Sequence, residues 1–315
     1  MSKKESCDTT SYTGGFKITV TSDGIFVATK GNNTLKAANA QEINELIKKF
    51  NETNPPTENA SSECSVGPVL NKYFFEVHSN LPREGPGDNR STRRAYRMIT
   101  GLPEKPRLLD IGCGPGMQTI ELAKISNAQI TAMDNNQTLL DELAQHAKAE
   151  GVSDKIKIVK GDMYCLGFEE NSFDVLWCEG AIFIIGFEKG LREWRKFIVE
   201  KGYLALTEMC WIDPNPPKQV KDYITQVYPP IKTVKESLQL IKDCGYNVVG
   251  YFVLPESSWW ENYYLPILAK LPAMKTKYEG NSEALAVIAA EEQEIEMFRK
   301  YSKHYGYVFY VMQKE

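Results

Sequence analysis

RLLDIGCGPGMQTIELAKI, residues 107–125, decides the fold. The short apolar run RLLDI (107–111) reads as a buried strand, and MQTIELAKI reads as a helix. Between them Gly112, Gly114 and Gly116 let the backbone turn tightly and approach a ligand at the helix N-terminus. The spacing is GxGxG followed by Met117, whereas the dinucleotide fingerprint GxGxxG wants glycine at 117. A carboxylate, Asp110, stands two residues before the first glycine.

Strands and helices alternate on either side of this turn, which predicts an α/β class protein with a doubly wound, seven-stranded, mostly parallel sheet. QITAM (129–133) is the second strand, and the helix after it carries Leu139, Leu140, Leu143, Ala144 and Ala147 on one face before stopping at Gly151. IKIVK (156–160), FDVLWC (173–178) and YLALTE (203–208) supply the third to fifth strands. The helix TVKESLQLIKDC closes on Gly245, NVVGYFVL follows as a sixth strand, and YVFYVMQ is the seventh. The domain expected over 91–315 carries two cover insertions, at 211–231 and 256–306, the second holding a helix around 282–302.

Residues 1–56 read as a separate ββα accessory unit. An Asp23-Gly24 turn joins two strand-like runs, pairing Val20 with Val27 and Ile18 with Thr29. Ile43, Leu46, Ile47 and Phe50 give an amphipathic helix from about Ala38. So small a unit is marginal alone, which leads to docking on the main body or a homodimer through it. Residues 57–90 form a linker and then a lid, FFEVHSNLPREGPGD (74–88), rich in turn-forming residues.

Composition narrows the function. At 42% hydrophobic and 25% charged the chain reads as ordinary soluble globular protein. Its net charge of −4 and lack of a basic run argue against a nucleic-acid partner. Seven scattered cysteines without a CxxC pair argue against a disulfide framework and against a zinc or other metal site. No apolar leader or membrane-spanning run is visible, so the expected location is cytoplasmic, without membrane association.

Two further strand ends carry acids. Asp134 closes the second strand, 18 residues after Gly116, where a carboxylate can accept hydrogen bonds from ribose hydroxyls. Asp162 and Met163 follow the third strand, a polar group and a thioether between which an adenine could sit. LLDIGCGPG, AMD (132–134), GDM (161–163), FDVLWCEGA (173–181) and KGYLALTE (201–208) come in an order and spacing that resemble the class I S-adenosylmethionine-dependent methyltransferases. The resemblance covers about 91–255 and points to the small-molecule branch containing ubiquinone/menaquinone-type and sterol-type enzymes. It implies S-adenosylmethionine as cofactor and S-adenosylhomocysteine as product. By that resemblance Gly112, Cys113, Gly114 and Gly116 would hug the methionyl moiety, with Asp110 ordering the loop near its amino group. Asp134 would bind the ribose hydroxyls with Asn135 beside it, and Asp162 and Met163 would contact the adenine.

Acceptor chemistry is harder to read, because a sulfonium methyl needs mainly alignment and water exclusion. WCEGAIFIIGF (177–187) buries one carboxylate, Glu179, among apolar neighbours at the sheet edge where ligands bind. It could act as base, as cation partner near the cofactor, or as a brace for the turn. His78, in the lid, is a candidate proton acceptor or a packing histidine. Arg83 could meet a carboxylate of a ligand or a neighbouring acid. Trp211, Trp259, Trp260 and Tyr263 could wall an apolar acceptor site or belong to the core, and Tyr264 and Tyr228 belong to the same cover. The expected function is methyl transfer to a small molecule in a lid-covered aromatic pocket. Two alternatives stand beside it: a protein, amine or guanidino acceptor gripped by Glu179 and Glu188, and a non-catalytic S-adenosylmethionine-binding regulatory protein.

Overall fold

The computed structural model describes residues 10–13, 16–20, 26–30, 33–37, 46, 49 and 72–315. The chain divides into two compact units, Met1–Asn71 and Lys72–Glu315.

In the first unit four strands, β1 (Thr10–Thr13), β2 (Phe16–Val20), β3 (Phe26–Lys30) and β4 (Asn33–Ala37), form an antiparallel sheet in sequential order. The expected β2–β3 pair is present, but its register is one residue away from expectation: Val20 faces Phe26 and Ile18 faces Ala28. Five residues, an odd number, lie between the paired Val20 and Phe26, a connection that a two-residue turn does not close. The flanking strands β1 and β4 make this an all-antiparallel meander rather than a bare hairpin. The helix expected from about Ala38 falls outside the described residues except at Leu46 and Lys49.

The second unit opens with α1 (Lys72–His78) and α2 (Asn89–Tyr96). Asp88 caps α2 by accepting from the Ser91 amide at 2.9 Å. The sheet follows as β5 (Arg107–Ile111), β6 (Gln129–Asp134), β7 (Ile156–Lys160), β8 (Phe173–Cys178) and β9 (Ile198–Trp211), all parallel. Crossover helices α3 (Met117–Ile125), α4 (Gln137–Ala149) and α5 (Phe187–Trp194) link successive strands. After α6 (Lys218–Val227), the two-residue β10 (Lys232–Thr233) and α7 (Val234–Asp243), β11 (Tyr246–Val253) forms one edge. A helical run from Ser257 passes through a π turn at Trp260–Tyr264 into α8 (Leu265–Lys277), then α9 (Ser282–Tyr301) and β12 (Tyr305–Lys314).

The strand order is β11-β12-β9-β8-β5-β6-β7, with β10 beside β9. β12 is antiparallel to both its neighbours. The seven-stranded, mostly parallel sheet expected from the sequence is therefore present. Alternation along β5 sends Leu109 and Ile111 to the face covered by α5 and α7, and Leu108 to the face covered by α2, α3 and α4. A third apolar cluster joins α1, α6, α8 and α9 into a cap.

The order reverses between β5 and β8, so their carboxyl ends open the crevice where such sheets bind ligands. Cys113, Cys178, Cys210 and Cys244 are free and buried. Cys165 is disulfide-bonded, whereas the scattered cysteines argued against a disulfide framework. Among the described residues no helix is long and apolar enough to cross a membrane.

Candidate active site

The glycine turn is held from β6. The amides of Gly112 and Cys113 both donate to the Met133 carbonyl, at 2.8 and 3.0 Å. Gly112, Gly114 and Gly116 all take positive φ, at 70°, 53° and 90°, which L side chains rarely adopt. Asp134 then ties the turn to the second strand end, accepting from the Gly114 amide at 3.0 Å and the Asn136 amide at 2.9 Å. Burial pushes the Asp134 carboxyl up, and these amides pull the other way. Asn135 is exposed beside it.

Asp110 lies wholly buried beneath the turn. Its Oδ2 accepts from Thr119 Oγ1 at 2.5 Å and Gln118 Nε2 at 3.2 Å, while Oδ1 has no partner among the described residues. Burial pushes this carboxyl up to about 7. Asp162 and Met163 follow β7, and the Met163 carbonyl accepts from Trp194 Nε1 at 3.1 Å. A Cβ placed on Gly112 would lie 3.6 Å from Met163 Cε, so the thioether reaches the same crevice as the glycine turn. A glycine cradle, an orphaned buried carboxylate oxygen and a strand-end acid suit a ligand carrying both a cationic amine and vicinal hydroxyls.

Glu179 is a satisfied carboxylate. Its Oε1 accepts from Trp177 Nε1 at 2.8 Å and Thr92 Oγ1 at 2.7 Å, and its Oε2 accepts from Arg83 Nη2 at 2.8 Å. Burial among apolar residues is tolerable because both oxygens are hydrogen-bonded and one partner is a cation. Glu179 thus joins three elements: β8 through Trp177, α2 through Thr92, and the lid through Arg83.

Arg83 is itself buried, 4% exposed. Its guanidinium crosses Gly87 so closely that a Cβ there would fall 2.5 Å from Cζ. The lid continues to the cap, where the Gly87 amide donates to the Ser258 carbonyl at 3.0 Å and Asn262 Nδ2 donates to the Gly87 carbonyl at 3.1 Å. Between Arg83 and Gly87 stands Glu84, whose Cγ would lie 3.5 Å from a Cβ on Gly114. Burial pushes the Glu84 carboxyl up to about 8, and the charges of Glu142 and Asp134 add to the shift. The lid is therefore folded directly over the glycine turn.

The remaining expected residues lie beneath or within the cap. His78 is 2% exposed; it stacks on Phe74 at 4.0 Å, and its Nε2 stands 3.2 Å from Glu291 Oε1. Trp259 stacks on Phe298 at 4.2 Å and approaches Tyr307 at 5.1 Å. Tyr263 lies 5.6 Å from the His78 ring, Trp260 lies under the Arg299 guanidinium, and Trp211 meets Tyr305 edge-on. A groove of about 440 Å³ runs along Trp259, Phe298 and Tyr305. Tyr307 connects cap and crevice, since its ring would be 3.9 Å from a Cβ on Gly180, the residue after Glu179. Glu188 stands apart from all of these: it is exposed at the start of α5 and pairs with Arg192 one turn on.

Several site residues carried no sequence signal. Thr92, Gln118 and Thr119 look like ordinary helix residues, and Glu84 looks like part of a turn. Glu208 sits on β9, where its Oε1 accepts from Tyr228 at 2.5 Å and burial raises its carboxyl to about 7. Glu291 and Glu294 are hidden in the acid-rich EEQEIE of α9.

Comparison with known proteins agrees with this geometry. Residues 108–202 match the family model described as a methyltransferase domain. The chain is 26% identical over 289 residues to a sterol 24-C-methyltransferase of Aspergillus fumigatus, covering 81% of this chain and 74% of that protein. It is 27% identical over 184 residues to the sterol 24-C-methyltransferase of Neurospora crassa, covering 56% of this chain and 48% of that one. The match thus spans about half the length of the latter relative. A methyltransferase from Geobacter sulfurreducens, solved in complex with S-adenosyl-L-homocysteine, superposes with a TM-score of 0.67 at 18% identity, covering 78% of this chain and 99% of that chain, which shows the shared fold. None of these relatives bears a ubiquinone or menaquinone name. Over residues 108–202 the chain carries a methyltransferase domain.

Proposed function

We propose that this chain transfers a methyl group from S-adenosylmethionine to a small-molecule acceptor held between the lid and the cap. When bound, the cofactor supplies a methyl group already activated by its sulfonium charge. Gly112, Cys113, Gly114 and Gly116 would hold its methionyl part, with the unpartnered Oδ1 of Asp110 nearby. Asp134 would accept from its ribose hydroxyls beside Asn135, with Asp162 and Met163 at the adenine. The protein's contribution is alignment and exclusion of water. The observation that carries this reading is the junction at Glu179, where the end of β8, helix α2 and the lid meet beside both the glycine turn and the cap.

Both oxygens of Glu179 are engaged by protein donors, which supports a bracing role for it over that of a free base. His78, whose Nδ1 has no partner, is the better candidate to take a proton from an acceptor that arrives protonated. Arg83 holds the lid, and Trp211, Trp259, Trp260 and Tyr263 wall the acceptor side. The sterol methyltransferase names of the relatives support a small-molecule acceptor. A guanidino group gripped by Glu179 and Glu188 is disfavoured, since Arg83 occupies the first carboxylate and the second faces solvent beside Arg192. Residues 1–56 are proposed as an accessory unit through which a homodimer forms, and the protein is proposed to work in the cytoplasm without a nucleic-acid or membrane partner.

Incubation with methyl-labelled S-adenosylmethionine and cell extract, followed by mass identification of labelled products, tests this reading. A labelled small molecule is the expected result. Label on protein would favour the other acceptor class, and cofactor binding with no transfer to any fraction would favour a regulatory role.

A further inference from the structure

Resting on the proposed methyl transfer, we infer that the acceptor is an amine that enters as its ammonium cation and is held under the cap by Glu291 and Glu294. The two carboxylates lie three residues apart on α9, on one face of the helix. Tyr264 donates to Glu294 Oε1 at 2.9 Å, and His78 Nε2 stands 3.2 Å from Glu291 Oε1. Glu291 is 6% exposed and its Oε2 has no partner among the described residues; the Nδ1 of His78 and the hydroxyl of Tyr305, both 2% exposed, have none there either. Buried polar atoms without partners are costly unless a ligand pairs with them.

The charge balance indicates what kind of ligand that is. Among the described residues neither glutamate forms an ion pair with a lysine or arginine. The nearby Lys270 is committed to the end of α1, donating to the carbonyls of Glu76, Val77 and Ser79 at 2.8, 2.7 and 2.6 Å. Lys275 pairs instead with Glu292, and Arg299 with Glu296. Tyr263 lies against the His78 ring and Tyr264 donates to Glu294, and a tyrosine hydroxyl does not neutralise a carboxylate. Burial raises the Glu294 carboxyl to about 7, with the Glu291 charge adding to the shift, the response of an acid lacking its cation. A neutral hydrocarbon acceptor would leave all of these groups as they are, whereas an ammonium group donates to the orphaned oxygen and brings a positive charge beside the two carboxyls.

The transfer balances in the same terms. The ammonium nitrogen gives its proton to His78 Nδ1, freeing a lone pair. That lone pair forms the new N–CH3 bond as the S–CH3 bond breaks, and sulfur keeps the bonding pair. Positive charge therefore leaves sulfur and arrives at a nitrogen facing Glu291 and Glu294, so the pocket favours the transition state over the separated reactants.

Ethanolamine, an ammonium at neutral pH, and its neutral carbon isostere propan-1-ol share a shape and differ in charge and in N–H donors. Their affinities are measured by ligand-observed NMR titration, with and without S-adenosylhomocysteine. Ethanolamine is expected to bind at least about 10-fold more tightly, and the ratio is expected to fall towards one in Glu291→Gln and Glu294→Gln, while S-adenosylhomocysteine affinity stays within about twofold. Equal binding of the two probes to the wild-type protein, absence of ethanolamine binding, or a preference that survives both substitutions would overturn the inference. The wild-type comparison does not depend on how the variants fold. Loss of S-adenosylhomocysteine binding alone would instead sink the methyl-transfer reading.

Discussion

Arg83 Nη2 and Glu179 Oε2 stand 2.8 Å apart with both residues buried, so the lid and the end of β8 share one ion pair across 96 positions of sequence. Removing one partner of such a pair strands a charge, which commonly costs about 3–5 kcal/mol. Arg83→Ala and Glu179→Gln are each expected to lower turnover by on the order of 10–100-fold through a loosened lid. The double variant should lose little more than either single one, because the two act as a unit. Methyl-transfer rates for the four proteins close that cycle, and additive losses would mean that the residues act separately.

Asp134 binds two amides of its own chain as well as standing where ribose hydroxyls are expected. Asp134→Ala is therefore expected to weaken S-adenosylhomocysteine binding by about 100-fold or more, the loss of two charge-assisted hydrogen bonds. The fold should persist, since the Gly112 and Cys113 amides still reach the Met133 carbonyl. Calorimetric titration alongside circular dichroism measures both. Unchanged affinity in a folded variant would remove Asp134 from the cofactor site.

The strands of the mostly parallel sheet were legible because each is a short apolar run and each crossover has helical periodicity. The glycine turn between β5 and α3 was legible for a related reason: glycines and an acid interrupt apolar sequence at a strand end. The cap was not. Glu291 lies in the same acid-rich run as the exposed Glu296, so only three-dimensional packing separates them. Glu179 was conspicuous in its apolar run, yet its partners Thr92 and Arg83 lie 87 and 96 residues away, beyond the reach of local pattern. The N-terminal pairing differs by one residue from the expected register because a two-residue turn is expected where an odd number of residues separates Val20 from Phe26.

Glu84 links stability to pH. Its carboxyl is raised to about 8 in the folded chain, so the native state holds that proton more firmly than the unfolded state does. Stability from this group is fully present below about pH 4.5 and is lost as pH rises through 8. Asp110, Glu208 and Glu294, each raised to about 7, act in the same direction. Glu84→Gln should match the wild-type protein near pH 4.5 and exceed it by on the order of 2 kcal/mol at pH 8. Urea unfolding at the two pH values provides the measurement, and a gap that does not widen with pH would show that Glu84 ionises freely.

Gly116 and Gly114 both take positive φ, but they answer to different neighbours. A Cβ on Gly116 would fall 2.0 Å from Cδ1 of the fully buried Leu143, so an alanine there must push α4 away from the sheet. A Cβ on Gly114 would meet only Glu84 Cγ at 3.5 Å, an ordinary contact with the lid. Gly116→Ala is therefore expected to cost about 2–4 kcal/mol, from left-handed strain together with overpacking. Gly114→Ala should cost about 1 kcal/mol of stability while weakening S-adenosylhomocysteine binding, because the new methyl group narrows the cradle. Urea unfolding and calorimetry on the two variants separate these effects. Equal destabilisation would mean that α4 yields at Leu143, and the close packing of the glycine turn on that helix would then not be what requires glycine at 116.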